Sequence, residues 1–296
     1  MNNSKILIYS DLHIGAVRVS LDKIKQTLEW INMVAKEKGV SHIFNLGDTF
    51  DFYNHTKSKM RISPKLISEL NDYGWLFSGH TILRGNHEFH EEGDLLEVLQ
   101  LFGAEIVINP TGMKTQYKQG EWINLLLLPY DEKPTKEKYD VDYVFTHCDI
   151  KGAKFESGFT DETEDSDILK NVKYKMCLDG HYHIKQKVRD NVYCVGATQS
   201  RVKSGNTERM GIHILDLETG ELEFIENPYA EYEIAERQRT YNYDFKENND
   251  LMKELDNFKL EKNGTEAFID YLEGKRGTYD NDLISYVIDF LKGGAQ

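Results

Sequence analysis

Cysteine is scarce in this chain. The three present, Cys148, Cys177 and Cys194, are odd in number and far apart in 296 residues. That excludes a disulfide framework and predicts buried thiols in a reducing compartment, hence a cytoplasmic location. Long apolar runs are also missing: no stretch approaches the roughly 18–20 residues of a membrane span. The opening MNNSKILIYSD leads straight into a strand-like run, so neither a membrane partner nor a signal peptide is expected. Positive charge is in short supply, with 36 Lys and Arg against 50 Asp and Glu and a net charge of −14. Nonspecific nucleic-acid affinity comes mostly from neutralised phosphates. A nucleic-acid partner would therefore need a local basic patch, bound metal or a second protein. No internal repeat is visible. A hydrophobic content of 40 % is ordinary for a globular protein, and the length allows one large domain or one plus an appendage.

What the chain does have is five short runs of metal-binding residue types, each at the end of an apolar run. KILIYS leads to Asp11 and His13, HIFNLG to Asp48, and TILRG to Asn86 and His87. YVFT leads to His147, and YKMCLDG to His181 and His183. Each apolar run reads as a buried strand, and open α/β sheets bind ligands beyond the carboxyl ends of their strands. Asp11 and His13 are expected to point the same way along a continuing extended path, and Gly47 to allow a tight turn before Asp48. Two divalent ions about 3.5–4 Å apart can clamp the attacking and leaving oxygens of an in-line displacement. Such a pair needs a bridging carboxylate, for which Asp48 is the natural candidate. Imidazole, carboxylate and amide together suit Mn²⁺, Fe or Zn²⁺ better than Ca²⁺.

Each piece has a plainer explanation alone. Strand-end aspartates are commonly turn or cap residues, a lone His147 would be a packed core histidine, and G-H-x-H is a weak pattern. The joint occurrence outweighs these. His42, His55, His80, His90 and His213 are assigned to surface or packing, and Glu88 to support of the neighbouring histidines.

The set D-L-H, L-G-D, G-N-H-E, T-H-C-D and G-H-Y-H resembles the motifs of the calcineurin-like metallophosphoesterase superfamily, in order, over about residues 5–230. The resemblance implies an α/β (α+β) four-layer sandwich, two central sheets flanked by helices. It also implies one metal held by Asp11, His13, Asp48 and His183, and a second by Asp48, Asn86, His147 and His181. His87 would act on the leaving group and would not be a ligand. Phosphoprotein phosphatases read G-D-x-V-D-R-G after the second motif; here Phe50, Asp51, Phe52 and Tyr53 follow instead. That stretch, LLLLPYDEKP and the segment after G-H-Y-H are similar to SbcD-type nuclease subunits, including compact phage versions. These partner an SMC-like ATPase in DNA recombination and repair and cut DNA with Mn²⁺. Gly196-Ala197-Thr198 lacks the usual Pro there, and G-N-H-E replaces the commoner G-N-H-D. A stand-alone phosphodiesterase acting on a small or cyclic nucleotide is the rival, walled by Tyr53, Phe89 and residues 150–173. A non-catalytic scaffold that regulates an ATPase is the third reading. A homodimer is left open.

The remaining sequence adds organisation. LDKIKQTLEWINMVAKEKG predicts a helix closed by Gly39. Ser63 and Pro64 predict the start of a second, which Gly74 would stop. EGDLLEVLQLFG predicts a third, closed at Gly103. From about Trp122 strands dominate, and ETGE signals a hairpin turn. Lys57, Lys59, Arg61 and Lys65, in a run without acids, are the candidate DNA contact; Arg201, Lys203 and Arg209 form a looser group. DETEDSD, with five acids in seven positions, reads as an exposed, mobile loop. The predicted boundary separates a nuclease domain, 1–229, from a partner-binding or small capping segment, 230–296. In that segment Leu283, Ile284, Val287 and Ile288 give a helix a wide apolar face for an ATPase or for its own domain.

Overall fold

The computed structural model describes residues 4–15, 20–51, 70, 72–88, 96–130, 139–162, 169, 171–199, 209–230 and 273. The chain separates into two compact units, residues 1–236 and 237–296. In the first, two mixed six-stranded sheets form an α/β sandwich. The first sheet runs β14-β13-β1-β2-β3-β4, where β1 is Lys5–Tyr9, β2 His42–Asn45, β3 His80–Leu83, β4 Glu105–Val107, β13 Gly211–Asp216 and β14 Leu222–Glu226. Strands β1 to β4 are mutually parallel. The second runs β11-β12-β10-β8-β6-β5, where β5 is Thr111–Lys118, β6 Glu121–Leu128, β8 Tyr143–Thr146, β10 Met176–Asp179, β11 Gln186–Arg189 and β12 Val192–Cys194. Its inner strands β6, β8, β10 and β12 are parallel. The short strands β7 (Tyr139–Asp140) and β9 (Val172–Lys173) pair separately.

Alternation along each strand explains why the parallel strands read as unbroken apolar runs. In β1, Ile6 and Ile8 face the core between the sheets, where they meet Phe44, Leu125, Leu127, Phe145 and Leu178. Leu7 and Tyr9 face outward into a second core closed by Ile24, Leu28 and Ile31 of the helix α1 (Leu21–Lys38). Leu126, Leu128, Val144, Cys177 and Cys194 face outward from the second sheet, under Ile150, Ala153, Leu169 and Tyr182. The three cysteines are buried free thiols, as expected. α1 ends as predicted: Gly39 takes a left-handed φ of 64° and donates to the carbonyl of Lys36. The ETGE turn closes β13 onto β14.

Two expectations need correction, while Gly74 stands as expected: the α-helical residues end at Tyr73, and Gly74 opens a 3₁₀ turn, Gly74–Phe77. Its missing side chain serves packing, since a Cβ there would sit 2.8 Å from the Phe102 ring, beyond the short helix α2 (Glu97–Gln100). The strand-rich half begins at β4 and β5, ahead of Trp122. The segment following His147 is a pinned hairpin over its described part, with a bridge between Lys154 and Thr160. Asp161, the first acid of DETEDSD, is buried and accepts a 2.7 Å bond from the Tyr182 hydroxyl; Glu162 is exposed as expected, and the other acids of the run lie outside the described residues. The charge of Asp161 found a partner 21 positions away, which composition alone does not show. The helix start at Ser63 and Pro64 lies outside the described residues.

Candidate metal centre

The carboxyl ends of five parallel strands deliver the predicted residues to one place. β1 ends at Asp11 and His13, β2 at Asp48, β3 at Asn86 and His87, β8 at His147, and β10 at His181 and His183. The route at β1 differs from the extended path predicted. Asp11, His13 and Asp48 all have left-handed φ, at 55°, 48° and 50°. Backbone bonds zip the two loops together beyond the strands: Asp11 N–H to Gly47, His13 N–H to Asp48, Ile14 N–H to Thr49 and Asp51 N–H to Ile14. The parallel ladder therefore continues while its residues kink, and each kink turns a donor inward. Such conformations cost on the order of 1–3 kcal/mol each and persist only where the surroundings impose them.

Close backbone approach completes the convergence. A Cβ on Gly85 would lie 2.2 Å from Asp48 Oδ1, and one on Gly47 2.5 Å from His147 Nδ1. Glu88 corrects another expectation. Its carboxylate meets His147 only through charge and accepts the backbone N–H groups of Gly85 and Phe50, each at 2.7 Å, and of Asp48 at 3.2 Å. Burial, together with the charge of Asp48, holds its pKa well above the usual range.

The donors form two groups that share Asp48. In the first, ligand atoms of Asp11, His13, Asp48 and His183 lie within 4.8 Å of one another. His13 Nε2 and His183 Nε2 are 3.2 Å apart, and they stand 3.4 and 3.5 Å from Asp11 Oδ1. In the second, Asn86 Oδ1 lies 2.9 Å from His147 Nε2 and 3.1 Å from His181 Nδ1, and Asp48 Oδ1 is 3.4 Å from His147 Nε2. Donors about 2.0–2.1 Å from one ion are separated by about 2.9–3.4 Å in octahedral or tetrahedral geometry, so both spacings suit a divalent ion. Asp11 makes the stronger case. It is fully buried, and neither carboxylate oxygen has a hydrogen-bond partner. Beyond the His13 and His183 nitrogens at 3.4 and 3.5 Å from Oδ1 it has no counter-charge in contact among the described residues, so this buried carboxylate is well suited to a metal.

Charge and outer contacts agree with this. Burial alone would raise the pKa of Asp48, but His147, His13 and His87 hold it far below the carboxylate range. Burial alone would lower that of His147, but Asp48, Asp11 and Asp179 push it up to about 10. Without a cation these two residues are an ion pair, and a metal takes over the proton's role. His147 Nδ1 donates to the carbonyl of Leu46 at 2.7 Å, which leaves Nε2 free to ligate. Asp149 lies 3.4 Å from His181 Nε2, and Glu156 lies 3.5 Å from His183 Nδ1. Neither was anticipated. Asp149 was legible only as the last letter of T-H-C-D, and Glu156 carried no local signal.

His87 borders the first group: ligand atoms of His87, His13 and Asp51 lie within 4.8 Å of one another, and the His87 backbone N–H donates to Asp48 Oδ1 at 3.0 Å. Its Nδ1 is 3.0 Å from Asp51 Oδ1, and its Nε2 is 3.8 Å from Asp48 Oδ2. Asp51 was noted only as part of a motif, and the structure makes it the partner of His87. A cleft of about 330 Å³ opens here, lined by Asp48, Asn86, His87, His181 and His183 on one side and by Phe155, Glu156 and Ser157 on the other. His80 and His213 pack in the core, and His42 is half-buried beside Ser41, as expected. His55, His90, Tyr53, Phe89, Lys57, Lys59, Arg61, Lys65, Arg201, Lys203, Leu283, Ile284, Val287 and Ile288 lie outside the described residues. Arg209 pairs with Glu226 at 3.2 Å.

The profile of the calcineurin-like phosphoesterase family matches residues 4–185, which contain every one of these donors. The chain belongs to the calcineurin-like phosphoesterase family. It is therefore a phosphoester hydrolase of a family that uses divalent metals. No curated protein matches it. Similar solved structures include an archaeal phosphodiesterase, at 16 % identity over 75 % of this chain and 99 % of that one, with a TM-score of 0.40. A predicted phosphoesterase from Streptococcus pneumoniae is 15 % identical over 78 % of this chain and 94 % of that one, with a TM-score of 0.36. A phosphoesterase from E. coli is 13 % identical over 75 % and 99 %, with a TM-score of 0.33. No helix among the described residues of this phosphoesterase is long and apolar enough to cross a membrane.

Proposed function

We propose that the protein is a two-metal phosphodiesterase that cuts DNA, in the manner of the SbcD-type subunits its sequence resembles. The observation that carries this reading is the wall facing the metal donors, where Phe155 and Glu156 stand. A phosphomonoester brings two negative charges to the cleft and a diester brings one, so a carboxylate in the wall penalises the monoester more. The aromatic ring suits the organic group that only a diester carries on its second ester oxygen. Phe52, following Asp51, supports the same reading, because phosphoprotein phosphatases place an Arg there for the monoester.

One ion would be held by Asp11, His13, Asp48 and His183, the other by Asp48, Asn86, His147 and His181, and Mn²⁺ suits this donor mix. When bound, the pair supplies Lewis acidity at the phosphoryl oxygens and a lowered pKa for the attacking water. His87 offers Nε2 to the leaving oxygen as proton donor. Asp51 accepts the Nδ1 proton of His87 and fixes the ring. The left-handed turns at Asp11, His13 and Asp48 hold their donors in place before substrate arrives.

The phosphoesterase domain is proposed as residues 1–229, with Lys57, Lys59, Arg61 and Lys65 on DNA phosphates. Residues 230–296 are proposed to engage the coiled-coil base of an SMC-like ATPase through Leu283, Ile284, Val287 and Ile288. The net charge of −14 supports a subunit that borrows DNA binding from a partner. Removing residues 281–296 should abolish co-purification with such an ATPase while the hydrolysis of small diesters persists. Hydrolysis of a small or cyclic nucleotide is the second reading, favoured by a cleft volume of about 330 Å³, within the range of small-molecule sites. The full donor set argues against a non-catalytic scaffold. A parallel assay with Mn²⁺ on linear duplex, single strand, a cyclic dinucleotide and p-nitrophenyl mono- and diesters separates these readings. DNA cleavage with diester preferred over monoester is expected. Faster monoester hydrolysis, or cyclic dinucleotide turnover without DNA cleavage, would overturn the DNA reading.

A further inference from the structure

Phe159 is a large aromatic side chain left 64 % exposed, one ring beyond the lining of the metal cleft. Its ring stacks on that of Phe155, at 6.3 Å and 27° between planes, and Phe155 lines the cleft beside His181. An exposed aromatic on a loose loop would mean little, but this one is held. The strands of its hairpin exchange bonds between Gly152 and Asp161 and between Asp161 and Ala153, both 2.7 Å, and Phe155 N–H donates to Phe159 at 2.9 Å. The Gln186 side chain accepts the N–H of Lys154 and donates to its carbonyl, each at 2.9 Å. Tyr182, between the metal donors His181 and His183, packs on Phe155 at 5.0 Å and donates to Asp161. The hairpin is thus fixed to the G-H-Y-H motif itself, and the two rings keep a set distance from the metal centre.

The charge beside the rings selects what they meet. Glu156 sits between them in sequence and projects toward His183, so a further phosphate on this side would be repelled. A neutral planar group would not. On the reading that the substrate is a nucleic-acid phosphodiester, we infer that Phe155 and Phe159 form a stacking platform for the nucleobase next to the scissile phosphate. A base inside a duplex already has both faces covered by its neighbours, so the platform takes an unpaired base, at a frayed end or in a single strand. The backbone beyond that base then runs away from Glu156.

The test uses the full chain with Mn²⁺ and two single-stranded substrates of equal length. One is a thymidine oligonucleotide; the other has abasic tetrahydrofuran residues on the same backbone. Phe159→Ala should lower kcat/KM on the thymidine strand by about 5- to 100-fold, the span of single-base stacking. The abasic strand should hardly respond, and Phe159→Trp should restore the thymidine rate. Equal loss on both strands, no loss on either, or failure of Phe159→Trp to restore would overturn the platform while leaving the phosphodiesterase reading intact. Wild-type protein that cuts neither strand nor a duplex but hydrolyses other phosphoesters would overturn both the platform and the DNA reading. Because Phe159 is exposed, an unchanged melting temperature is expected for both variants.

Discussion

Asp11, His13 and Asp48, supplied by the first sheet, all sit in left-handed backbone, whereas His147, His181 and His183, supplied by the second, do not. The contrast extends to hydrogen bonding. On the first side, both oxygens of Asp11 and Nδ1 of His13 are buried without a hydrogen-bond partner. On the second, His147 bonds the Leu46 carbonyl, His181 lies 3.4 Å from Asp149 and His183 lies 3.5 Å from Glu156 of the cleft wall, and Asp179 accepts the backbone N–H groups of Cys148 and His181. The second half is held by hydrogen bonds as it stands; in the first, Asp11 has only the nearby imidazoles of His13 and His183 to offset its charge, and a metal would add to them. Metal binding and folding should therefore be coupled mainly through the first sheet.

The largest effect should come from the residue both halves share. Asp48→Ala should leave at most one ion per chain and remove nearly all turnover, as read by elemental analysis and phosphodiester hydrolysis. Two ions retained at full occupancy would break the assignment of Asp48 as the bridge. Next is His87, which follows β3 of the first sheet and is assigned to neither ion. His87→Ala should keep the metal content of the wild type and lose about 10²–10⁴ in kcat, the usual span for a general acid. Loss of metal comparable to that of His147→Ala would put His87 among the ligands.

The smallest effect concerns acid. His80 on β3 and His213 on β13 also belong to the first sheet, and burial pushes each from 6.5 down to about 4. Both are neutral when folded, and the unfolded chain takes up their protons at higher pH. The stability they contribute is full above about pH 6.5 and is lost as pH falls toward 4, at up to roughly 3 kcal/mol for each. In chelator, denaturant midpoints of the wild type should fall across that window, and His213→Gln should flatten the fall. An unchanged slope would mean that His213 is not held neutral.

How far this contrast was legible follows from where its causes lie. Strand ends were legible because each parallel strand is buried on both faces, so apolar runs such as KILIYS stop abruptly at a donor. Packing fixes the rest over long separations. The left-handed turn at Asp11 comes from Gly47 and Gln199, whose backbone groups bond its N–H and its carbonyl from 36 and 188 positions away. Glu88 was misread because its neighbours in sequence are histidines, while its partners in space are backbone amides. Asp161 was placed in a solvated acidic run because Tyr182, which buries it, lies in another motif. Asp51 and Glu156 acquire roles only once His87 and His183 are positioned against them.

The central claim is that the buried charge of Asp11 costs the fold stability until a metal arrives. Asp11→Asn keeps the shape and tolerates the left-handed turn but removes the buried charge. The direct measurement is the melting temperature of this variant and of the wild type, each in chelator and in excess Mn²⁺. The variant should melt above the wild type in chelator and below it with metal, so that the order reverses. A variant that melts below the wild type in both conditions would show that Asp11 stabilises the fold without a cation, and would contradict the account.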